Sequence, residues 1–222
     1  MAQRLSSLAT IDEPRMVMTY DEFLAWAGEE TRAEWVDGEV IILEMPKSIH
    51  QRLVALLLRL LSQYASVFDL GEVMIAPFEM RLIPVRSSRQ PDILFVARDH
   101  LDRITVDRLD GPADLVIEVI SPDSVTRDKR DKLLEYQQAG IPEYWVVDPR
   151  ERHRAVEPYA LTDRGVYRPI PPDAQGRLNS MVLPGFWLDP AWLWQDPLPD
   201  PLRLLAMVAP GSLQALLGST KE

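Results

Sequence analysis

Two segments of this chain are apolar over nearly their whole length, and each is broken at one position by an acid. Pro91-Asp92-Ile93-Leu94-Phe95-Val96 carries Asp92, and Asp114-Leu115-Val116-Ile117-Glu118-Val119-Ile120 carries Glu118. Both read as strands of a buried core. A carboxylate inside such a strand costs several kcal/mol unless it is paired or bound to a cation, so two of them in successive strands point to a site. An antiparallel pairing with Asp92 opposite Glu118 is symmetric about position 105, and the polar stretch between the strands, residues 97–112, is centred at almost the same place. Alternation puts Asp92, Leu94 and Val96 on one face of the first strand, and Val116, Glu118 and Ile120 on one face of the second. Residues opposite each other across a strand pair point to the same side of the sheet. The two carboxylates are therefore expected to share one divalent cation.

The 222 residues suit one domain or one domain with a tail, and 46% hydrophobic content is ample for a core. Cysteine is absent, which excludes disulfides and thiolate metal sites. The longest apolar run, residues 53–61, contains Arg59 and is too short to span a bilayer, and the N-terminal stretch lacks the apolar core of a signal peptide. A cytoplasmic protein without a membrane segment is the expectation. A net charge of −10 argues against a generic nucleic-acid coat. It leaves room for a nuclease whose site is neutralised by divalent cations and a local basic patch.

Residues 1–17 read as an N-terminal arm, 18–195 as the main domain, and 196–222 as a C-terminal helical tail. Thr19 with Glu22 forms a capping-box pattern opening a helix over 20–27. Residues 34–42 read as a hairpin turning at Asp37-Gly38. Ile49, Leu53, Leu56, Leu57, Leu60, Leu61 and Tyr64 recur at helical spacing, with Ser48 as the expected cap. Strands are expected over 72–76 and 78–83, ahead of the two acidic strands. Ser121-Pro122-Asp123-Ser124 reads as a turn into a helix over 126–139, stopped by Gly140 and Pro142. Residues 143–148 read as a strand, 155–161 and 165–170 as a meander, and 202–217 as a short helix. This order implies an α/β domain with a mixed sheet.

On the second helix Asp128, Lys132 and Tyr136 stand at i, i+4 and i+8 with Glu135 beside them, so they line one face. The helix leaves the strand that carries Glu118, which puts Lys132 within reach of a charged phosphoryl transition state. As a surface ion pair with Asp128 it would contribute only a few tenths of a kcal/mol.

These motifs together resemble the bacterial Uma-two family of restriction-endonuclease-type proteins, within the PD-(D/E)XK nuclease superfamily. The resemblance rests on Glu34-Trp35-Val36-Asp37-Gly38-Glu39, His50, Gln90-Pro91-Asp92-Ile93 and the segment from Leu115 to Pro122. It rests further on Asp128 through Tyr136, on Ala139 through Pro149, the most distinctive run, and on Leu183-Pro184-Gly185-Phe186-Trp187-Leu188. It implies a restriction-endonuclease-like fold, a mixed central β-sheet flanked by helices with the metal site on one edge. Asp92 and Glu118 are implied metal ligands, with the backbone carbonyl of Val119 as a third, for Mg²⁺ or Mn²⁺. The superfamily places lysine two residues after the second acid, where this chain has Ile120; Lys132 is its implied displaced replacement. DNA is the implied substrate and a homodimer the implied assembly.

Other residues are weighed on chemistry alone. Glu34 is expected either near the metal or in a turn-stabilising salt bridge. His50 opens a helix and is expected to serve catalysis or phosphate contact, or else a surface or capping role. His50, His100 and His153 are too scattered for a zinc site. Trp35, Trp145, Trp187, Trp192 and Trp194 read as core or interface aromatics. Arg86, Arg89, Arg127, Lys129 and Arg130 read as a basic rim for phosphates, or as solvated charge. Two functions follow: a metal-dependent DNA endonuclease, or a non-catalytic DNA-binding or assembly protein on a degenerate nuclease fold.

Overall fold

The computed structural model describes residues 16–211, with 29, 30, 44, 46 and 123 excepted. From the N-terminus the elements are β1 (Met16–Val17), α1 (Tyr20–Trp26), β2 (Ala33–Val36), β3 (Glu39–Ile42), α2 (Ser48–Val67), β4 (Gly71–Ile75), β5 (Glu79–Leu82) and β6 (Ser87–Arg89). There follow β7 (Ile93–Ala97), β8 (Arg108–Asp110), β9 (Leu115–Val119), a π-helical turn (Arg127–Asp131) running into α3 (Lys132–Ala139), and β10 (Glu143–Asp148). The chain closes with β11 (Ala155–Leu161), β12 (Tyr167–Pro169), the short pair β13 (Leu178–Asn179) and β14 (Trp187–Leu188), and α4 (Pro201–Val208).

The strands form two six-stranded mixed sheets, ordered β1-β3-β2-β6-β5-β8 and β12-β11-β10-β9-β7-β4. The α/β class with mixed sheets and flanking helices agrees with the reading, while the division into two sheets is new. The first sheet is built partly from two- and three-residue strands, which are too short to show a period. In the second, β9 and β10 run parallel, joined by the π turn and α3, as a parallel pair requires.

Several local expectations hold at residue level. The Thr19–Glu22 capping box closes on both sides. Asp37 and Gly38 both take positive φ, 47° and 95°, as a two-residue hairpin turn demands. Gly140 caps α3 at φ 80°. Others are corrected. Lys47, without a side-chain cap bond, is the N-cap of α2, and Ser48 is its first helical residue. The last helix ends at Val208; residues 212–217 of the expected helix, like residues 1–15 of the expected arm and Asp123 of the expected turn, lie outside the described residues. Among the described residues no helix is long and apolar enough to cross a membrane.

The second sheet is covered on both faces. Against one lie α2 and α4, whose Leu53, Leu57, Leu60, Leu204 and Leu205 pack on Ile93, Phe95, Ile117 and Trp145. Against the other, Leu94, Val96, Val116, Tyr144 and Val146 pack with Tyr136 of α3 and with Met80, Leu82 and Leu109 of the first sheet. By alternation Asp92 and Glu118 belong to this second face. They therefore look toward α3 and the first sheet. The chain passes between the sheets at Gln90-Pro91-Asp92, where Pro91 supplies no N–H to prolong either ladder.

Candidate active site

The antiparallel register of β7 and β9 pairs Ile93 with Ile117, Leu94 with Val116 and Phe95 with Leu115. Each pair sums to twice 105, so one further step sets Asp92 opposite Glu118, as the centre of the intervening stretch predicts. Both strands are interior in their sheet, so the acids sit at strand ends along the seam between sheets and not on an edge strand. Asp92 Oδ2 accepts the Val119 N–H at 2.8 Å and lies 3.0 Å from His50 Nε2. Glu118 Oε1 accepts from Lys132 Nζ at 2.7 Å and from the Tyr136 hydroxyl at 3.0 Å. Among the described residues, no hydrogen bond reaches Asp92 Oδ1 or Glu118 Oε2, so each carboxylate keeps one oxygen uncommitted.

The surface ion-pair reading of Lys132 is overturned, because its residue is only 3% exposed. Besides Glu118, its ammonium lies 3.4 Å from Glu34 Oε1 and 3.4 Å from Asp128 Oδ1. Asp128, Lys132 and Tyr136 do share one face, but that face is buried against carboxylates. Lys129, the other lysine of this segment, instead binds Glu157 at 2.6 Å and Asp148 at 3.3 Å.

Glu34 is fully buried and takes no part in a surface turn bridge. Alternation along β2 sends Ala33 and Trp35 toward α1 and Glu34 toward the seam. The β2–β6 register pairs Trp35 with Ser88, and continuing it one step sets Glu34 opposite Arg89. Arg89 Nη1 donates to Glu34 Oε2 at 2.8 Å, and its Nε donates to Glu135 Oε1 at 2.9 Å. A further short contact joins Arg89 Nη2 to Glu135 Oε2. Arg89, 2% exposed, thus ties β2 to α3 through two carboxylates and is no part of a phosphate rim. His50 is buried, with Nδ1 lacking a hydrogen-bond partner, and serves Asp92 instead of capping a helix at the surface.

The electrostatics follow from this crowding. Burial pushes Glu118 up to about 8, opposed by Lys132 and reinforced by Asp128, Asp92 and Glu34. For Lys132, burial works against the charge, but Glu118, Glu34 and Asp128 outweigh it and hold the ammonium protonated. Burial also disfavours ionised Glu34, yet Lys132 and Arg89, helped by Arg127, bring it to about 2. Burial raises the Tyr136 hydroxyl, as do Glu118 and Glu34, so it stays a donor.

Glu34, His50, Asp92, Glu118, Val119, Asp128 and Lys132 line a cavity of about 270 Å³, whereas Arg89, Glu135 and Tyr136 do not reach it. Every site residue expected from the sequence is therefore in one place. The reading missed Arg32, on the same wall, and the bridging roles of Arg89 and Glu135. The polar run Ser87-Ser88-Arg89-Gln90 ahead of Pro91 was a sequence signal for Arg89 at the site, and the position of Glu135 beside Lys132 on the helix was one for Glu135. No tryptophan lines the cavity; Trp35, Trp145 and Trp192 are core residues. Among the described residues, no group of three or more His, Asp or Glu side chains is preassembled to hold an ion. Asp92 and Glu118, each with one uncommitted oxygen, are the side chains that could hold a cation in this cavity.

A comparison with solved structures finds a protein described as a "putative nuclease belonging to DUF820" from Anabaena variabilis, with TM-score 0.65 and 20% identity over 80% of this chain and 97% of that one. At that identity the likeness establishes a shared fold. A comparison with curated proteins finds no match. The family model described as "Uma2: Putative restriction endonuclease" matches residues 20–191, most of the chain, and the chain belongs to this family.

Proposed function

We propose that this chain is a divalent-metal-dependent nuclease that hydrolyses phosphodiester bonds of DNA, with Asp92, Glu118 and the Val119 carbonyl as the ligands of Mg²⁺ or Mn²⁺. The observation that carries the reading is the meeting of Asp92 and Glu118, each with one uncommitted oxygen, beside a buried lysine in one cleft. All-oxygen donors suit a hard cation. Asp128, Asp92 and Glu34 all act to raise Glu118, a repulsion among acids that a cation between Asp92 and Glu118 would relieve. When bound, such an ion supplies a Lewis acid and an acidified water.

The chain's own residues do the rest. The Val119 N–H and His50 fix the Asp92 carboxylate by one oxygen and leave the other facing the cleft. Tyr136 and Lys132 orient Glu118 in the same way. Glu118, raised to about 8 by burial, would have to release its proton to solvent before its oxygens could hold a cation. Lys132, held charged by its three carboxylates, supplies a fixed positive charge next to the developing charge on phosphorus oxygens. Arg89 holds Glu34 and, through Glu135, α3, so that the lysine cannot retreat from the cleft.

The alternative is a non-catalytic DNA-binding or assembly protein on this fold. It is favoured by Ile120 at the superfamily's lysine position and by the three carboxylates that already occupy Lys132. Purified protein incubated with supercoiled, linear and single-stranded DNA, with and without Mg²⁺ or Mn²⁺, decides between them. Metal-dependent cutting that disappears in Glu118→Gln supports the enzyme; binding without cutting under any metal supports the alternative. A homodimer is part of the same proposal, motivated by exposed Leu202 and Met207 on α4, and sizing in solution tests it.

A further inference from the structure

Five basic residues close to the acids in sequence were candidate phosphate contacts, and the structure sorts them. Arg89 is buried between Glu34 and Glu135. Arg86 pairs with Asp37 at 3.2 Å on the surface. Lys129 is committed to Glu157 and Asp148. Arg130 is exposed and does not line the cleft. Arg127 alone among the five opens on the cavity. Its Nε is buried and has no hydrogen-bond partner. The nearest carboxylate oxygen, Asp128 Oδ1, stands 4.0 Å away and is itself without a hydrogen bond. A buried N–H left unmade is costly, and here the guanidinium has not closed on the acid beside it. Its side chain is 24% exposed and forms part of the cavity lining. Arg32, on the same cavity, makes one weak contact, to Met45 Sδ at 4.0 Å, and no ion pair among the described residues.

We infer that Arg127 is the phosphate-binding arm of this cleft, its guanidinium taking the non-bridging oxygens of a backbone phosphate of a DNA strand beside the acidic floor. The planar fork matches two oxygens of a phosphodiester as a lysine would not. The inference rests on the nuclease reading for its substrate class. It goes beyond that reading by assigning the group that grips the strand, which Lys132, enclosed by three carboxylates, is not free to do.

The test is binding, separate from cleavage. Fluorescence anisotropy with a labelled DNA duplex and a labelled single strand is measured over a range of salt, with Ca²⁺ and with EDTA, for the full chain. Arg127→Gln is expected to weaken binding about tenfold at low salt. It should also reduce the slope of log affinity against log salt by about 0.9 for duplex, or about 0.7 for single strand, the loss of one phosphate contact. Arg127→Lys should keep the slope and lose several-fold in affinity, and Arg130→Gln should behave as wild type. A structural role for Arg127, confined to neutralising Asp128 and Glu34, would shift the melting temperature and leave the slope unchanged. An unchanged slope in Arg127→Gln, an equal change in Arg130→Gln, or a wild type that binds neither DNA overturns the inference. Should Arg127→Gln fail to fold, wild-type affinity in Arg127→Lys overturns it instead. Cleavage is recorded in parallel with Mg²⁺. A wild type that binds with an Arg127-dependent slope but never cuts removes the nuclease reading and leaves the phosphate arm standing.

Discussion

Replacing Lys132 by methionine keeps the stem of the side chain and deletes only the charge. Read as a surface ion pair, that change would cost well under ~1 kcal/mol; the buried geometry predicts otherwise. The ammonium is the common partner of Glu118, Glu34 and Asp128, at 2.7, 3.4 and 3.4 Å. Without it Glu34 keeps Arg89, but Glu118 keeps only the Tyr136 hydroxyl, and Asp128 Oδ1 has no hydrogen bond at all. Without the ammonium that opposes burial, the Glu118 carboxyl takes up a proton instead of standing charged, so the loss expected at pH 9 is that of an unmade hydrogen bond plus about 1.4 kcal/mol for each pH unit above about 8. At pH 6 Glu118 already carries a proton, so the loss should shrink toward the roughly 1–3 kcal/mol of an unmade hydrogen bond. The assay is urea unfolding followed by circular dichroism, with chelator present, at both pH values. Glu118→Gln and the double variant complete a cycle, and in the Glu118→Gln background the lysine's removal should cost much less. A loss below ~1 kcal/mol at pH 9, or an equal loss with and without the Glu118 charge, would refute the reasoning. Under conditions where Lys132→Met is folded, cleavage should fall by roughly a hundredfold or more.

Millimolar Mg²⁺ or Mn²⁺ should raise the melting temperature of the wild type through mass action, and much less that of Asp92→Ala; equal rises in both would remove the acid pair as the main metal site. Because Glu118 must lose its proton to take a cation, ion affinity should climb about tenfold per pH unit up to about 8 and then level off, as read by titration calorimetry. Without metal, Glu118 binds a proton in the folded state that the unfolded chain releases, so its contribution to stability is largest at acid pH and falls as pH rises from the ordinary carboxylate range to about 8. Glu118→Gln should abolish that fall. Glu34 has the opposite sign: its contribution is full above the ordinary range and is lost as pH drops toward about 2. Arg89→Met takes away the guanidinium that Glu34 and Glu135 share, leaving Glu34 with Lys132 and Glu135 with the Ser87 hydroxyl, and should cost about 3–5 kcal/mol in chemical denaturation, with Arg86→Met as a nearly neutral control.

The acid pair was legible in the sequence because its signal is local: an acid in each of two apolar runs, and a connecting stretch whose centre announces the register. The common face of Asp128, Lys132 and Tyr136 was legible for the same reason, since helical spacing is a property of a dozen residues. Its burial was not. A polar stripe turned to water and a polar stripe turned to a charged cleft have the same period, and only the placement of β2 and β9 distinguishes them. Glu34 and Arg89 show the limit most clearly. They are 55 residues apart in the chain, and their pairing depends on β6, a Ser-Ser-Arg strand with none of the β-branched or aromatic content that marks strands. The first sheet escaped notice as a separate layer because β1, β6 and β8 are two or three residues long.

The π turn at Arg127–Asp131, with the Lys132 N–H bonded to the Arg127 carbonyl, sets the angular phase of the helix. In a plain α-helix four residues overshoot a full circle by about 40°, so positions eight apart drift by about 80°. The wider π turn needs more than four residues to close, so from Asp128 to Lys132 the chain falls short, and the α-helical stretch from Lys132 to Tyr136 then overshoots. The two errors offset each other, and three side chains come onto a single line above Glu118. Deleting one residue from this turn would give a regular and locally more favourable helix while swinging Arg127 and Asp128 about 100° around the axis, away from their neighbours. Such a variant should be at least as helical by circular dichroism and yet show the reduced salt dependence of DNA binding expected of Arg127→Gln. At this turn the aim of the cleft depends on a count of residues more than on their identity, and the irregular backbone is the feature that keeps the count right.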